Sequence, residues 1–232
     1  MSSTPSFLSS ALIIGRKDLT LLLGRGTGLA QAFLLGLLII FIFSLSRGIG
    51  ETVSAQAAAA IFWVATLFCQ VLVFTSLYAL EEVNGQRQGL LLAPAPLQSI
   101  WLGKGLAGLI MLLLAQLLFL PAVAVFLDQE PQGTLMRGLL CILLTDVGLA
   151  AAGSLLGALA QGQAARESLL SIVIFPLLLP LLLAAISTGA EFLGGGVPSG
   201  DGENWLRIIM AFDALFLAAG LLLFGFIYNS RE

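Results

Sequence analysis

The chain has 232 residues, 59% of them hydrophobic and 10% charged, whereas roughly a quarter of an ordinary soluble domain is charged. With a mean hydropathy of +1.04, this composition excludes a soluble fold and defines an integral membrane protein. The net charge of -3 carries little weight, because orientation follows the distribution of lysine and arginine across the bilayer.

The first apolar segment, Phe7 to Leu23 within an expected interfacial helix over about 6–24, is broken by Arg16, Lys17 and Asp18. Leu8, Leu12, Leu19 and Leu22 recur at helical spacing, while Ser9, Arg16, Lys17 and Thr20 gather on another face and Ile13 falls on the wrong side. That pattern predicts an amphipathic helix lying in the membrane interface. A signal peptide fits less well, because charges interrupt the apolar region and no small-residue cleavage site follows.

Six segments then approach the roughly 20 apolar residues that a spanning helix needs, at about 28–46, 57–80, 105–127, 138–160, 168–188 and 205–228. All are expected to be helical, since lipid offers no partner to an open backbone. Residues 1–232 thus read as a single all-α transmembrane domain, without an internal repeat of the kind that marks inverted-repeat transporters. Arg16, Lys17, Arg25, Arg87, Lys104, Arg166 and Arg231 fall on one side, and Arg47, Arg137 and Arg207 on the other. That bias predicts a multi-pass protein with both termini in the cytoplasm.

Between the second and third spans lies the longest polar interruption between hydrophobic segments, the other long loop being the glycine-rich segment from Ser187 to Asn204. This 80–104 stretch carries Glu81, Glu82, Asn84, Gln86, Arg87 and Gln88, then Leu90, Leu91 and Leu92, then Pro94 and Pro96, and ends at Lys104. It is too short to bury a core. Its charges and apolar patch predict a short amphipathic element against the cytoplasmic face, available to a partner. Leu90 and Leu91 are the expected anchors of such a groove contact, and Arg87 a rim charge.

Two acids fall within spans, Asp146 in the fourth and Asp213 in the sixth, each about eight residues from the outer end and so at a similar depth. Intramembrane acids are functional-site candidates. The competing reading is an inter-helix hydrogen bond, with Thr145 or Gln116 as partner. Gly153 and Gly157, flanked by Ala150 and Ala160, form a small-residue stripe that admits a neighbouring helix. Pro121, Pro176 and Pro180 are expected to bend the third and fifth spans, and Trp63, Trp101 and Trp205 to anchor at the interface.

Histidine is absent, which removes the commonest metal ligand, general base and haem ligand together. Cys69 and Cys141 sit in apolar runs and read as packing residues. Gly103-Lys104 lacks the glycine and hydroxyl residue of a phosphate-binding loop, and there is no nucleophile elbow, zinc signature or haem-attachment motif. The chain is therefore expected to be non-catalytic, with no directly bound cofactor and no metal.

Asn84-Gly85, the run Gly89-Leu90-Leu91-Leu92-Ala93-Pro94 and Leu102-Gly103-Lys104 resemble the haem exporter B family (CcmB) of cytochrome c maturation. The likeness extends to Arg16-Lys17-Asp18, Phe175-Pro176, Leu179-Pro180 and Ala211-Phe212-Asp213. The chain departs from the family pattern where Asn84 replaces an aspartate, Arg87 a leucine and Gln88 a glutamate. The resemblance implies a fold similar to type-2 ABC exporter permeases, in the bacterial inner membrane. It also implies a separate cytoplasmic ATPase subunit that binds the ATP, and a second copy of the chain. Further implied partners are a haem-presenting membrane protein and a periplasmic haem chaperone, so that the complex handles haem. Glu81, Glu82, Asn84, Gly85, Arg87, Leu90, Leu91 and Lys104 are then the expected ATPase-coupling residues. A type-2 permease for another cargo is the alternative, and an ion-coupled transporter built on Asp146 and Asp213 a further one.

Overall fold

A computed structural model describes residues 6–25, 27–48, 50–82, 89–90, 92–130, 133–160, 166–194 and 202–229. These form helices α1 (Phe7–Arg25), α2 (Thr27–Leu45), α3 (Ala55–Glu82), α4 (Leu97–Phe126), α5 (Leu135–Ala160), α6 (Arg166–Gly194) and α7 (Gly202–Asn229), with no strand among the described residues. Helices α2 to α7 each contain a stretch long and apolar enough to cross a membrane. The chain is an all-α integral membrane protein.

α3, α4 and α5 form the centre of the bundle. α2 lies against α3 and α4, α6 against α3 and α5, and α7 against α5 and α6. Leucines and phenylalanines such as Leu38, Leu117, Leu183 and Phe226 are left on the outside, where lipid solvates them. Inside, small residues set the spacing. Gly153 and Gly157 of α5 receive the rings of Phe74 and Tyr78 from α3, and Gly36 of α2 receives the ring of Phe119 from α4. Pro121, Pro176 and Pro180 lie within helices and face outward.

Two expectations need correction, the start of α4 and the setting of the tryptophans. α4 begins at Leu97, eight residues before the expected start, because the two turns leading to Lys104 are themselves helical and largely buried. α1 meets the bundle through a narrow stripe of mostly small residues. Leu8, Leu12 and Ile13 are exposed, and the buried stripe is Ala11, Ile14, Gly15, Asp18 and Leu22. Small residues win that face because α1 crosses α4 almost backbone to backbone. A side chain grown on Gly15 would stand 3.0 Å from Gly103 O, and one on Gly103 would stand 2.7 Å from Ala11 O. Finally, Trp63 and Trp101 are core residues, while Trp205 is half-buried. Trp101 fills the notch left by Gly220 on α7, which outweighs any preference of its indole for the interface.

The bundle end opposite α1 is closed by backbone capping. Ser44 Oγ and Arg47 Nη2 both donate to Phe126 O at 2.7 Å, satisfying a carbonyl at the end of α4. Gln129 Nε2 donates to Val53 O and Leu127 O, and Gly133 N to Phe192 O.

Candidate functional site

The α1 end of the bundle holds a cluster of charges with no exposure to solvent. Lys104 lies two turns into α4, Asp18 on the inner stripe of α1 and Glu81 on the last turn of α3. All three are fully buried. Lys104 Nζ donates to Asp18 Oδ2 at 3.1 Å and to Leu77 O at 2.9 Å, and forms an ion pair with Glu81 Oε1 at 2.8 Å. The ammonium also lies 4.7 Å from the centre of the Tyr78 ring, within cation–π range.

The outer oxygens are paired as well. Lys17 Nζ reaches Asp18 Oδ1 at 2.8 Å from a partly exposed position, and Tyr228 Oη donates to Glu81 Oε2 at 2.8 Å from the last turn of α7. Two cations thus face two carboxylates and the group is formally neutral. Burying an ion pair is costly unless it is well paired. Here each carboxylate oxygen has a cation or a hydroxyl within about 3 Å, although Asp18 Oδ1 and Glu81 Oε1 make ion-pair contacts without a hydrogen bond.

A second layer ties the cluster to α5. Tyr78 Oη donates to Ser154 O at 2.6 Å, Ser154 Oγ donates to Trp101 O at 2.9 Å, and Trp101 Nε1 donates to Ala151 O at 3.3 Å. Five helices are therefore fastened at one level, immediately beside the segment that follows α3. The arrangement has no nucleophile and no open coordination position. Its contacts form a knot that ties the ends of α1, α3, α4 and α7 together.

Glu81 and Lys104, expected to contact a partner, instead face the interior, because each is the other's counter-ion. Glu82 closes α3, and its side chain, like residues Asn84, Gly85, Arg87, Gln88 and Leu91, lies outside the described residues. Leu90 is half-buried against this chain's own core, whereas Leu92 is 86% exposed. After Leu92, Ala93 N donates to Leu90 O and Ala95 N to Ala93 O, turning the chain ahead of α4.

The intramembrane acids lie elsewhere. Gln116 Nε2 of α4 donates to Asp146 Oδ1 at 2.8 Å, so Gln116, not Thr145, is the hydrogen-bonding neighbour. Asp213 of α7 is pressed against the bare Cα of Gly148, two residues along α5 from Asp146. Gly148 was not singled out from sequence; its place opposite Asp213 is visible only once α5 and α7 are side by side. No three His, Cys, Asp or Glu side chains come together to hold a metal among the described residues.

The residues that converge on the knot come from Lys17-Asp18 and Gly103-Lys104, segments far apart in the chain. A family model described as CcmB protein matches residues 9–227. The chain belongs to the CcmB family. It is similar to "Heme exporter protein B" of Haemophilus influenzae, at 29% identity over 189 residues, covering 82% of this chain and 85% of the relative. It is also similar to "Heme exporter protein B" of Pseudomonas aeruginosa, at 28% over 216 residues, covering 91% and 95%. Each match extends over most of both partners, so the whole CcmB-type bundle is represented.

Proposed function

We propose that this chain is the membrane subunit of an ABC-type complex of cytochrome c biogenesis in the bacterial inner membrane. The observation that carries this reading is the family match across residues 9–227, together with relatives named for haem export. In this reading a separate cytoplasmic subunit binds and hydrolyses ATP. This chain, paired with a second copy, passes the resulting movement to haem delivery, or to release of a haem-loaded periplasmic chaperone beside a haem-presenting membrane protein. The absence of nucleotide-binding and haem-ligating motifs suits a force-transmitting part. The α1 end faces the cytoplasm, in keeping with the side that carries most lysines and arginines.

The knot gives the coupling a route. A partner that grips the segment after α3 acts one residue from Glu81, and Glu81 is joined through Lys104 to α1 and α4 and through Tyr228 to α7. Leu92, exposed where Leu90 is half-buried, is the better placed of the two leucines to enter a partner's groove. The test is a pull-down of the ATPase subunit with Leu92→Asp, membrane insertion being checked in parallel. A charge carried into an apolar groove should cut recovery of the ATPase at least tenfold while the chain still inserts. Unchanged ATPase recovery together with unchanged cytochrome c maturation would remove the coupling role from this segment.

A further inference from the structure

The Asp146–Gln116 contact in the bundle interior is short of one hydrogen. Gln116 is 2% exposed and Asp146 is not exposed at all. The bond from Gln116 Nε2 to Asp146 Oδ1 fixes the orientation of the amide, since the flipped amide would set oxygen against oxygen. Asp146 Oδ2 and Gln116 Oε1 then remain as two buried acceptors with no donor. Buried polar atoms are rarely left in this state. On α3, Gln70 Oε1 is a further buried acceptor without a donor, while the Thr145 hydroxyl on α5 makes no hydrogen bond to either orphaned oxygen.

Among the described residues no cation is paired with the carboxylate. α4 presents only Gln116 here, and Lys104 lies twelve positions away on that helix, about 18 Å at 1.5 Å per residue. The titratable groups that feel Asp146 are the thiols of Cys69 on α3 and Cys141 on α5. From α7 comes Asp213, which faces Gly148. α6 brings Thr188 to Cys141 but no charge. A metal ion is a poor match, because an N–H already occupies Oδ1 and would repel it.

We propose that Asp146 is a proton-binding site, the proton held on Oδ2 and shared with Gln116 Oε1. A carboxylic acid and a carboxamide joined by one N–H···O bond need one O–H···O bond to become a closed cyclic pair. A single proton supplies it, satisfies both orphaned oxygens and removes the unpaired charge in one step. The occupied site clamps α4 to α5 midway along the bundle, and the empty one leaves two acceptors opposed.

The test uses the full-length chain in lipid nanodiscs. Infrared spectra at neutral pH should show the C=O stretch of a protonated carboxylic acid, shifted in D2O, which disappears in Asp146→Asn and persists in Asp213→Asn. Asp146→Asn should also keep near wild-type yield and melting, because an amide at this position pairs with Gln116 through two bonds. Asp146→Leu leaves both ends of Gln116 unpaired and should lower folded yield several-fold. An Asp146→Asn spectrum identical to wild type overturns the proposal. So does an Asn variant as damaged as the Leu variant, since the site would then require a negative charge.

Discussion

Lys104→Met is the sharpest perturbation of the buried knot, because it keeps the stem of the side chain and removes only the ammonium. Asp18 would retain Lys17 at 2.8 Å and Glu81 would retain the Tyr228 hydroxyl at 2.8 Å, so neither carboxylate is stripped of every partner. One negative charge is nevertheless left over in a site with no solvent exposure. Removing one partner of a buried pair costs about 3–5 kcal/mol, and the retained contacts put this case near the lower bound. A loss of about 3 kcal/mol is roughly a 150-fold change in the folding equilibrium. For a chain of this size it corresponds to about 6–12 °C in melting midpoint. The assay is thermal loss of the monodisperse peak of a fluorescent fusion in detergent. Glu81→Gln added to Lys104→Met restores neutrality while the amide oxygen still accepts from Tyr228, and it should recover at least half of the loss. A single variant that melts with wild type, or a double variant with no recovery, would refute an electrostatic role for the knot.

Two further outcomes follow from the geometry. Gly103→Leu drives a side chain into Ala11 O at 2.7 Å and the Ile14 side chain at 2.9 Å, so α1 must lift off α4. Overpacking of this kind costs about 1–3 kcal/mol and should expose α1 to protease in intact membranes, an effect Gly24→Ala, with open space around it, should lack. In a background where Cys69 and Cys141 are alanine, cysteines at the exposed positions Leu92 and Asp128 should react with an impermeant maleimide from opposite sides of the membrane. Labelling from the same side would break the six-span topology.

The spans were legible because length and apolarity alone decide them, and a helix is the only open answer lipid allows an isolated segment. The knot was not. Asp18, Glu81 and Lys104 each stand at the edge of an apolar run, where a charge is ordinarily solvated, and nothing local says that three such edges meet. A signal was nonetheless present: Asp18 follows Gly15 on the same face, and Lys104 adjoins Gly103, so each charge lies beside a residue that permits close helix approach. The interior face of α1 was not assigned from its sequence pattern, which points only to an interfacial helix. In a bilayer the leucines of a helix are content outside, and smallness, not greasiness, marks the contact. Trp101, expected at the interface, is buried instead, its indole spent on the notch at Gly220. Gln116 was recognisable as a partner for Asp146 since few other polar side chains lie inside the spans.

The partners in the knot are far apart along the chain, and this bears on the order in which the molecule is made. Asp18 waits for Lys104, 86 residues later, and Glu81 waits for Tyr228, 147 residues later. At typical synthesis rates of about 5–20 residues per second, the second interval lasts roughly 7–30 s. Over that time the early helices sit in the bilayer with a half-made polar centre, held near the headgroups where its charges stay wet. The last turn of α7 is what completes that centre, so a nascent chain stopped short of Tyr228 leaves Glu81 Oε2 without the hydroxyl that donates to it.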